Sequence, residues 1–131
     1  FRLEHEGRRG VILTDLGKPD AAVAQHLSDP HVLLLEFNYD EEMLHAGPYP
    51  DALKQRVSGD RGHLSNHQAQ KQLALMVGPS LHTLVLGHLS LKNNTPELAV
   101  AAATEELERL GRGDVRVIVA QQDRALDGIE V

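Results

Sequence analysis

The chain has 131 residues, 41% hydrophobic and 24% charged, enough for one ordinary domain with a real core. A net charge of −6 excludes an overall basic field for coating nucleic acid, although an enzyme that grips phosphates through metal ions in a cleft needs none. With no cysteine, disulfides and thiolate metal sites are excluded, so any metal must be held by His, Asp or Glu, which suits zinc or manganese.

Phe1 to Glu6, then Gly7-Arg8-Arg9-Gly10, then Val11 to Thr14 reads as a β-hairpin running into a loop at Asp15-Leu16-Gly17. Helical spacing follows from Pro19 to Leu27, with Pro19 suited to a first turn, and Asp29-Pro30 breaks it. Val32 to Leu35 is a continuous apolar run, as expected of a strand buried on both faces. Short helices are predicted over Asp40–His45 and Asp51–Val57, separated by Gly47-Pro48-Tyr49-Pro50. Asn66 is the predicted N-cap of a helix reaching about Val77. His82–Leu86 is the next buried strand. Thr95 caps the longest helix, from Pro96 to Leu110, which Gly111-Arg112-Gly113 ends before a last strand, Val115–Ala120. Helices alternating with apolar strands give an α/β class in a single domain over residues 1–131, without repeats or low-complexity segments.

No apolar run reaches the ~18–20 residues of a membrane span, and there is no signal-peptide pattern. A cytoplasmic protein without membrane partners is expected. The chain opens in a strand-like phrase without Met, which suggests that something upstream has been lost.

Three polar phrases end apolar strands: Thr14-Asp15-Leu16-Gly17, Glu36-Phe37-Asn38-Tyr39-Asp40 and Gly87-His88-Leu89-Ser90. Ligands of open α/β sheets gather at the carboxyl ends of strands. Asp15 is either a turn former or a carboxylate bridging two divalent cations. His88 is either a hydrogen-bonded structural residue or a metal ligand whose second nitrogen is fixed by a neighbour. His63 lies between a loop and a helix start. It is either a solvent-exposed loop residue or a group that protonates a leaving oxygen or stabilises an oxyanion. The adjoining Ser65 and Asn66, at a helix N-terminus that favours anions, are candidates for substrate phosphate binding. Glu36 ends a very apolar strand, where a carboxylate is costly unless paired; it either forms a structural ion pair or orients a histidine.

In order and spacing, these phrases, with Gly47-Pro48-Tyr49-Pro50, Gly62-His63-Leu64-Ser65-Asn66 and Asn93-Asn94-Thr95-Pro96-Glu97, resemble the C-terminal half of metallo-β-lactamase-fold hydrolases. The branch they resemble most is that of bacterial exonuclease-like proteins, with transfer-RNA-processing ribonucleases more distant. The resemblance implies an αββα sandwich, of which this chain supplies one half, a mixed sheet with flanking helices. It implies Asp15 as the metal-bridging aspartate, His88 as the last metal-ligand histidine, His63 as the histidine near the scissile phosphate, and Glu36 as the acid that supports it. Two divalent ions, zinc or manganese, are implied for the complete protein, with nucleic acid or another phosphodiester as substrate. Two departures stand out: Tyr39 occupies a position where the branch usually has His, and the His-x-His-x-Asp-His phrase is absent.

The leading expectation is therefore a metal-dependent phosphodiesterase or nuclease seen as an incomplete chain. Its expected partners are the substrate, the N-terminal half of the fold and further copies of itself. The alternative is a non-catalytic binding or assembly module that docks a separate N-terminal half or another partner. A third reading keeps the fold and changes the substrate to a small cyclic phosphodiester or an ester.

Overall fold

The computed structural model describes residues 1–131. Strands β1 (Arg2–His5) and β2 (Arg8–Leu13) form an antiparallel hairpin. Its turn is Glu6-Gly7, with φ of 49° and 79°. Positive φ at both central residues is what a type I′ turn requires, and that turn matches the right-handed twist of the strands. Arg8, Arg9 and Gly10 therefore pair with His5, Glu4 and Leu3.

Helix α1 (Ala21–His26) starts two residues after Pro19. Asp20 caps it by accepting from the N–H groups of Ala22 and Val23, so Pro19 lies outside the helix. Strand β3 (Val32–Glu36) leads to α2 (Glu41–Ala46), capped by Asp40, and then to α3 (Asp51–Ser58). The cap of α4 (Asn66–Met76) is Ser65, one residue earlier than predicted. Ser65 and Gln68 form a reciprocal capping box, which satisfies two backbone donors and frees the Asn66 amide for other use. Strand β4 (Thr83–Gly87), helix α5 (Pro96–Arg109) capped by Thr95, and strand β5 (Arg116–Val119) complete the chain. No helix is long and apolar enough to cross a membrane.

The strands lie side by side in chain order, with β2 to β5 parallel and β1 antiparallel at the edge, so the sheet is mixed as expected. Parallel strands joined by right-handed crossovers in one direction place every crossover helix on the same face. On that face Val11, Leu13, Leu33, Leu35, Leu84 and Leu86 pack with Leu73 and Met76 of α4 and Ala99 and Ala103 of α5. Leu33, Leu35, Leu84 and Leu86 are wholly buried. Each such side chain contributes roughly 1.5–3 kcal/mol of transfer free energy. The opposite face carries the registered row Ile12, Leu34, Val85 and Ile118, with Ile12 40% exposed.

At the amino ends of the parallel strands, Asp29 ties together the segments entering β2, β3 and β4. Its carboxylate accepts from the Ser80 N–H and hydroxyl at 2.8 Å each and from Arg9 at 3.4 Å. Partial burial works to raise its pKa, but the Ser80 hydrogen bonds and Arg9 outweigh it and leave the carboxyl below the ordinary value. Gly78 sits against this side chain: a Cβ there would fall 2.3 Å from Asp29 Oδ1.

Candidate metal centre

At the carboxyl end of the sheet, the three polar phrases meet as expected. Strand pairing brings the end of β2 beside β3, and places Glu36 at the end of β3 level with Gly87, the last residue of β4. Asp15 lies two residues beyond β2 and His88 one residue beyond β4. His63 arrives from elsewhere, on the loop between α3 and α4. That loop pairs with the residues after β3: Asn38 N–H donates to Leu64 O, Asn66 N–H donates to Tyr39 O, and Tyr39 and Ser65 form an isolated parallel bridge.

Two glycines allow the His63 loop to sit this close. A Cβ on Gly17 would lie 2.2 Å from the Asp60 carbonyl oxygen, and one on Gly62 would lie 2.0 Å from the Val57 carbonyl oxygen. Either would require backbone to move. The turn is also held by hydrogen bonds from Gly62 N–H to Gly59 O and from His63 N–H to Val57 O.

Glu36 is the hub of the centre. It is fully buried. One carboxylate oxygen accepts from the Leu16 N–H at 3.2 Å and so grips the Asp15 loop. The other lies 2.7 Å from His63 Nδ1 and 3.2 Å from His88 Nδ1. Burial pushes the Glu36 carboxyl above its ordinary value, opposed by His63, His88 and the Leu16 N–H. When Glu36 is ionised it can only accept, so both imidazoles carry their proton on Nδ1. Nε2 of each ring then has no protein partner. A carboxylate that fixes a histidine tautomer in this way is what a metal site needs behind its ligands.

Asp15 Oδ1 lies 3.5 Å from His63 Nδ1 and 3.9 Å from His88 Nδ1, and the two rings meet edge to face with centroids 5.0 Å apart. One donor atom from each of Asp15, His63 and His88 falls within 4.8 Å of the others. Donors about 2.1 Å from a single ion are at most about 4.2 Å apart, so a limit of 4.8 Å groups the three residues around one position without fixing which histidine nitrogen would face an ion. Its nitrogen and oxygen donors suit a divalent ion such as zinc or manganese.

Asp15 and His88 both have left-handed backbone, with φ of 58° and 57°. Such a conformation costs a non-glycine residue on the order of 1–3 kcal/mol and tends to gather at functional sites. At His88 the conformation is held by Asn38, whose Nδ2 donates to the His88 carbonyl at 2.6 Å. Asn38 is a functional residue that strand-end ligand patterns do not single out. Its position two residues after Glu36, in a polar phrase at a strand end, was the available signal.

Ser65 and Asn66, expected at the substrate, are buried and already engaged. Ser65 Oγ donates to Glu41 at 2.8 Å and caps α4. Asn66 and Asn94 exchange a reciprocal pair of amide hydrogen bonds at 3.0 and 2.9 Å, and Asn94 also donates to Phe37 O. The outer edge of Asn66 faces a separate cleft walled by Asp40, Glu41, Glu42 and Glu105, a poor setting for a phosphate. Tyr39 is buried, and burial, reinforced by Glu41, raises its phenol pKa.

No family model matches the chain. Among curated proteins, it is 34% identical over 134 residues to the exodeoxyribonuclease WalJ of Streptococcus pneumoniae, an alignment covering all of this chain and 50% of that protein. It is 31% identical over 113 residues to the exodeoxyribonuclease YycJ of Bacillus anthracis, covering 86% of this chain and 43% of that one. The chain thus spans about half the length of the curated relatives it matches. Among solved structures, the metallo-β-lactamase fold protein YhfI of Bacillus subtilis superposes with a TM-score of 0.60 at 14% identity, over 92% of this chain and 40% of that one. The sheet order, the one-sided helical layer and these likenesses agree: the chain has the metallo-β-lactamase fold, and what it spans fits the C-terminal half of that fold.

Proposed function

We propose that this chain supplies part of the metal centre of a phosphodiester hydrolase, a nuclease, whose remaining ligands come from the half of the fold not spanned here. The observation that carries the reading is the convergence of His63, His88 and, through the Leu16 N–H, the Asp15 loop on the one buried carboxylate of Glu36, which groups Asp15, His63 and His88 together. The names of the relatives from S. pneumoniae and B. anthracis support the same class.

In this reading Asp15 and His88 hold divalent ions, zinc or manganese. When bound, such ions lower the pKa of a water and stabilise charge on a phosphoryl group. Glu36 keeps the lone pair of His88 Nε2 free by holding the ring's proton on Nδ1. It does the same for His63, whose Nε2, when protonated, donates to the oxygen that leaves the phosphorus. Ser65, Asn66 and Asn94 act at a distance, by fixing the loop on which His63 rides. The uncovered row Ile12, Leu34 and Ile118 is the surface on which the other half of the fold would pack.

The test is metal content and turnover of the intact protein on single-stranded oligonucleotides. Asp15→Ala and His88→Ala should each lower bound metal, whereas His63→Ala should keep it and cut turnover by ~10²-fold or more. Full metal content in both of the first two variants would remove the assignment. A second reading, in which His63 is itself a ligand, is favoured by its lying within 4.8 Å of Asp15 and His88; metal loss in His63→Ala selects it.

A further inference from the structure

We propose that the cleft beside the metal centre is a binding track for single-stranded polynucleotide, with Tyr49 as a base-stacking platform and Lys92 as the phosphate contact. The proposal rests on the nuclease reading and specifies its substrate as a strand with unpaired bases.

The cleft has a volume of about 360 Å³, and its walls include His63 and His88 together with Tyr49, Lys92, Leu91 and Asn38. It therefore opens directly onto the centre. Its charge sets it apart from the rest of the surface. In a chain with 19 acidic residues and a net charge of −6, none of its wall residues is Asp or Glu. The cleft behind α2 carries Asp40, Glu41, Glu42 and Glu105, and the one beside α5 carries Glu97 and Asp123. The cleft near Gly78 also lacks acids, but its Arg112 already donates to the Gly78 and Leu81 carbonyls and to Asp114. Lys92 is different: it is exposed and forms no ion pair. An anionic strand thus meets no acidic wall residue in the cleft beside the centre.

The wall also has a means of holding a base. Lys92 Nζ lies 5.8 Å from the centre of the Tyr49 ring, a cation–π distance. Tyr49 lies between Pro48 and Pro50, so its backbone has little freedom left to lose on binding. Lys92 sits on a preformed turn, in which Ser90 Oγ accepts from the N–H groups of Lys92 and Asn93. Leu91 on the same turn is 83% exposed, an apolar edge with no partner in the chain. An aromatic ring, a cation without an ion pair and an exposed aliphatic group in one groove form the combination with which proteins hold unpaired bases without reading sequence. A duplex offers its phosphates to Lys92, but its stacked bases cannot reach the ring.

The experiment measures kcat and KM of the intact, metal-loaded protein on labelled oligo-dT, oligo-U and a blunt duplex, with Tyr49→Ala, Tyr49→Phe, Lys92→Ala and the remote Lys71→Ala. Tyr49→Ala should raise KM about ten-fold with kcat within about two-fold, and Tyr49→Phe should behave as the parent. Lys92→Ala, on an exposed turn where folding is not at stake, should reduce the salt dependence of kcat/KM by about 0.7 in the log–log slope. Lys71→Ala should change neither. Cleavage of oligo-dT or oligo-U in preference to the duplex supports the track, and the ratio of the two separates DNA from RNA. Normal cleavage with KM unmoved in both Tyr49→Ala and Lys92→Ala, or equal use of the blunt duplex, overturns the track and leaves the nuclease reading intact. No metal-dependent cleavage of any of the three substrates by the parent protein overturns both.

Discussion

Removing the Asn38 amide tests whether the left-handed backbone of His88 is held in place by a neighbour. The Nδ2–carbonyl hydrogen bond is 2.6 Å long and mostly buried, with Asn38 8% exposed. A hydrogen bond of this kind contributes about 0.5–1.5 kcal/mol, and stranding its partner costs about 1–3 kcal/mol. His88 already carries roughly 1–3 kcal/mol of left-handed strain at φ 57°. Without the clamp, the native arrangement loses an amount comparable to the strain it was holding, so His88 gains ready access to extended backbone. Asn38→Ala should lower unfolding free energy by ~1–2 kcal/mol and weaken metal binding by up to about ten-fold, since 1.4 kcal/mol is a factor of ten. Asn38→Asp should do worse on both, because a carboxylate oxygen would then face the His88 carbonyl. Urea unfolding of the metal-free intact protein gives the first quantity, and competition with a chelating dye gives the second. If both variants are destabilised yet bind metal as tightly as the parent, Asn38 merely packs and the clamp argument is wrong.

Three further outcomes follow from the geometry. Gly62→Ala should cut turnover more than tenfold with little change in metal content if His63 is not a ligand, because the Cβ 2.0 Å from the Val57 carbonyl displaces the His63 turn; unaltered turnover contradicts the placement of that loop. Glu36→Gln removes a buried charge but leaves only one acceptor oxygen for Leu16 N–H, His63 and His88. Metal affinity should fall on the order of ten- to a hundred-fold while stability changes little, read by dye competition and urea unfolding. Asp29 has a depressed folded pKa, so its contribution is complete above the unfolded value of about 3.8 and is lost as pH falls through the lower folded value. Asp29→Asn should therefore be less stable than the parent at neutral pH, with the gap closing under acid conditions; a pH-independent gap in urea midpoints counts against it.

Much of the centre was legible before the fold was seen, because each of its parts obeys a local rule. A short apolar run bounded by breakers, such as Val32–Leu35, reads as a buried strand, and a polar group following it is expected at the strand's end. Asp15, Glu36 and His88 were found in this way. The resemblance then supplied an order of motifs that matched the fold. The caps were nearly as readable: Thr95 followed by Pro96 begins α5 where expected. Ser65 displaced Asn66 because a capping box satisfies two donors at once, a comparison between neighbours that a preference scale does not make.

What the sequence determined alone was the kind of element and the kind of donor: an α/β alternation, no thiolate, and carboxylate and imidazole groups at strand ends. Which of these groups meet was decided only by the tertiary structure. The parallel register of β2, β3 and β4 sets Asp15, Glu36 and His88 side by side, and the turn at Gly62 delivers His63 from the loop between α3 and α4. The assignment of one carboxylate to two histidines and a backbone N–H, and the left-handed bend that turns His88 toward it, arise from contacts between residues up to 52 positions apart. Local propensity reaches only a few residues along the chain, whereas the chemistry of this centre depends on distances across the sheet.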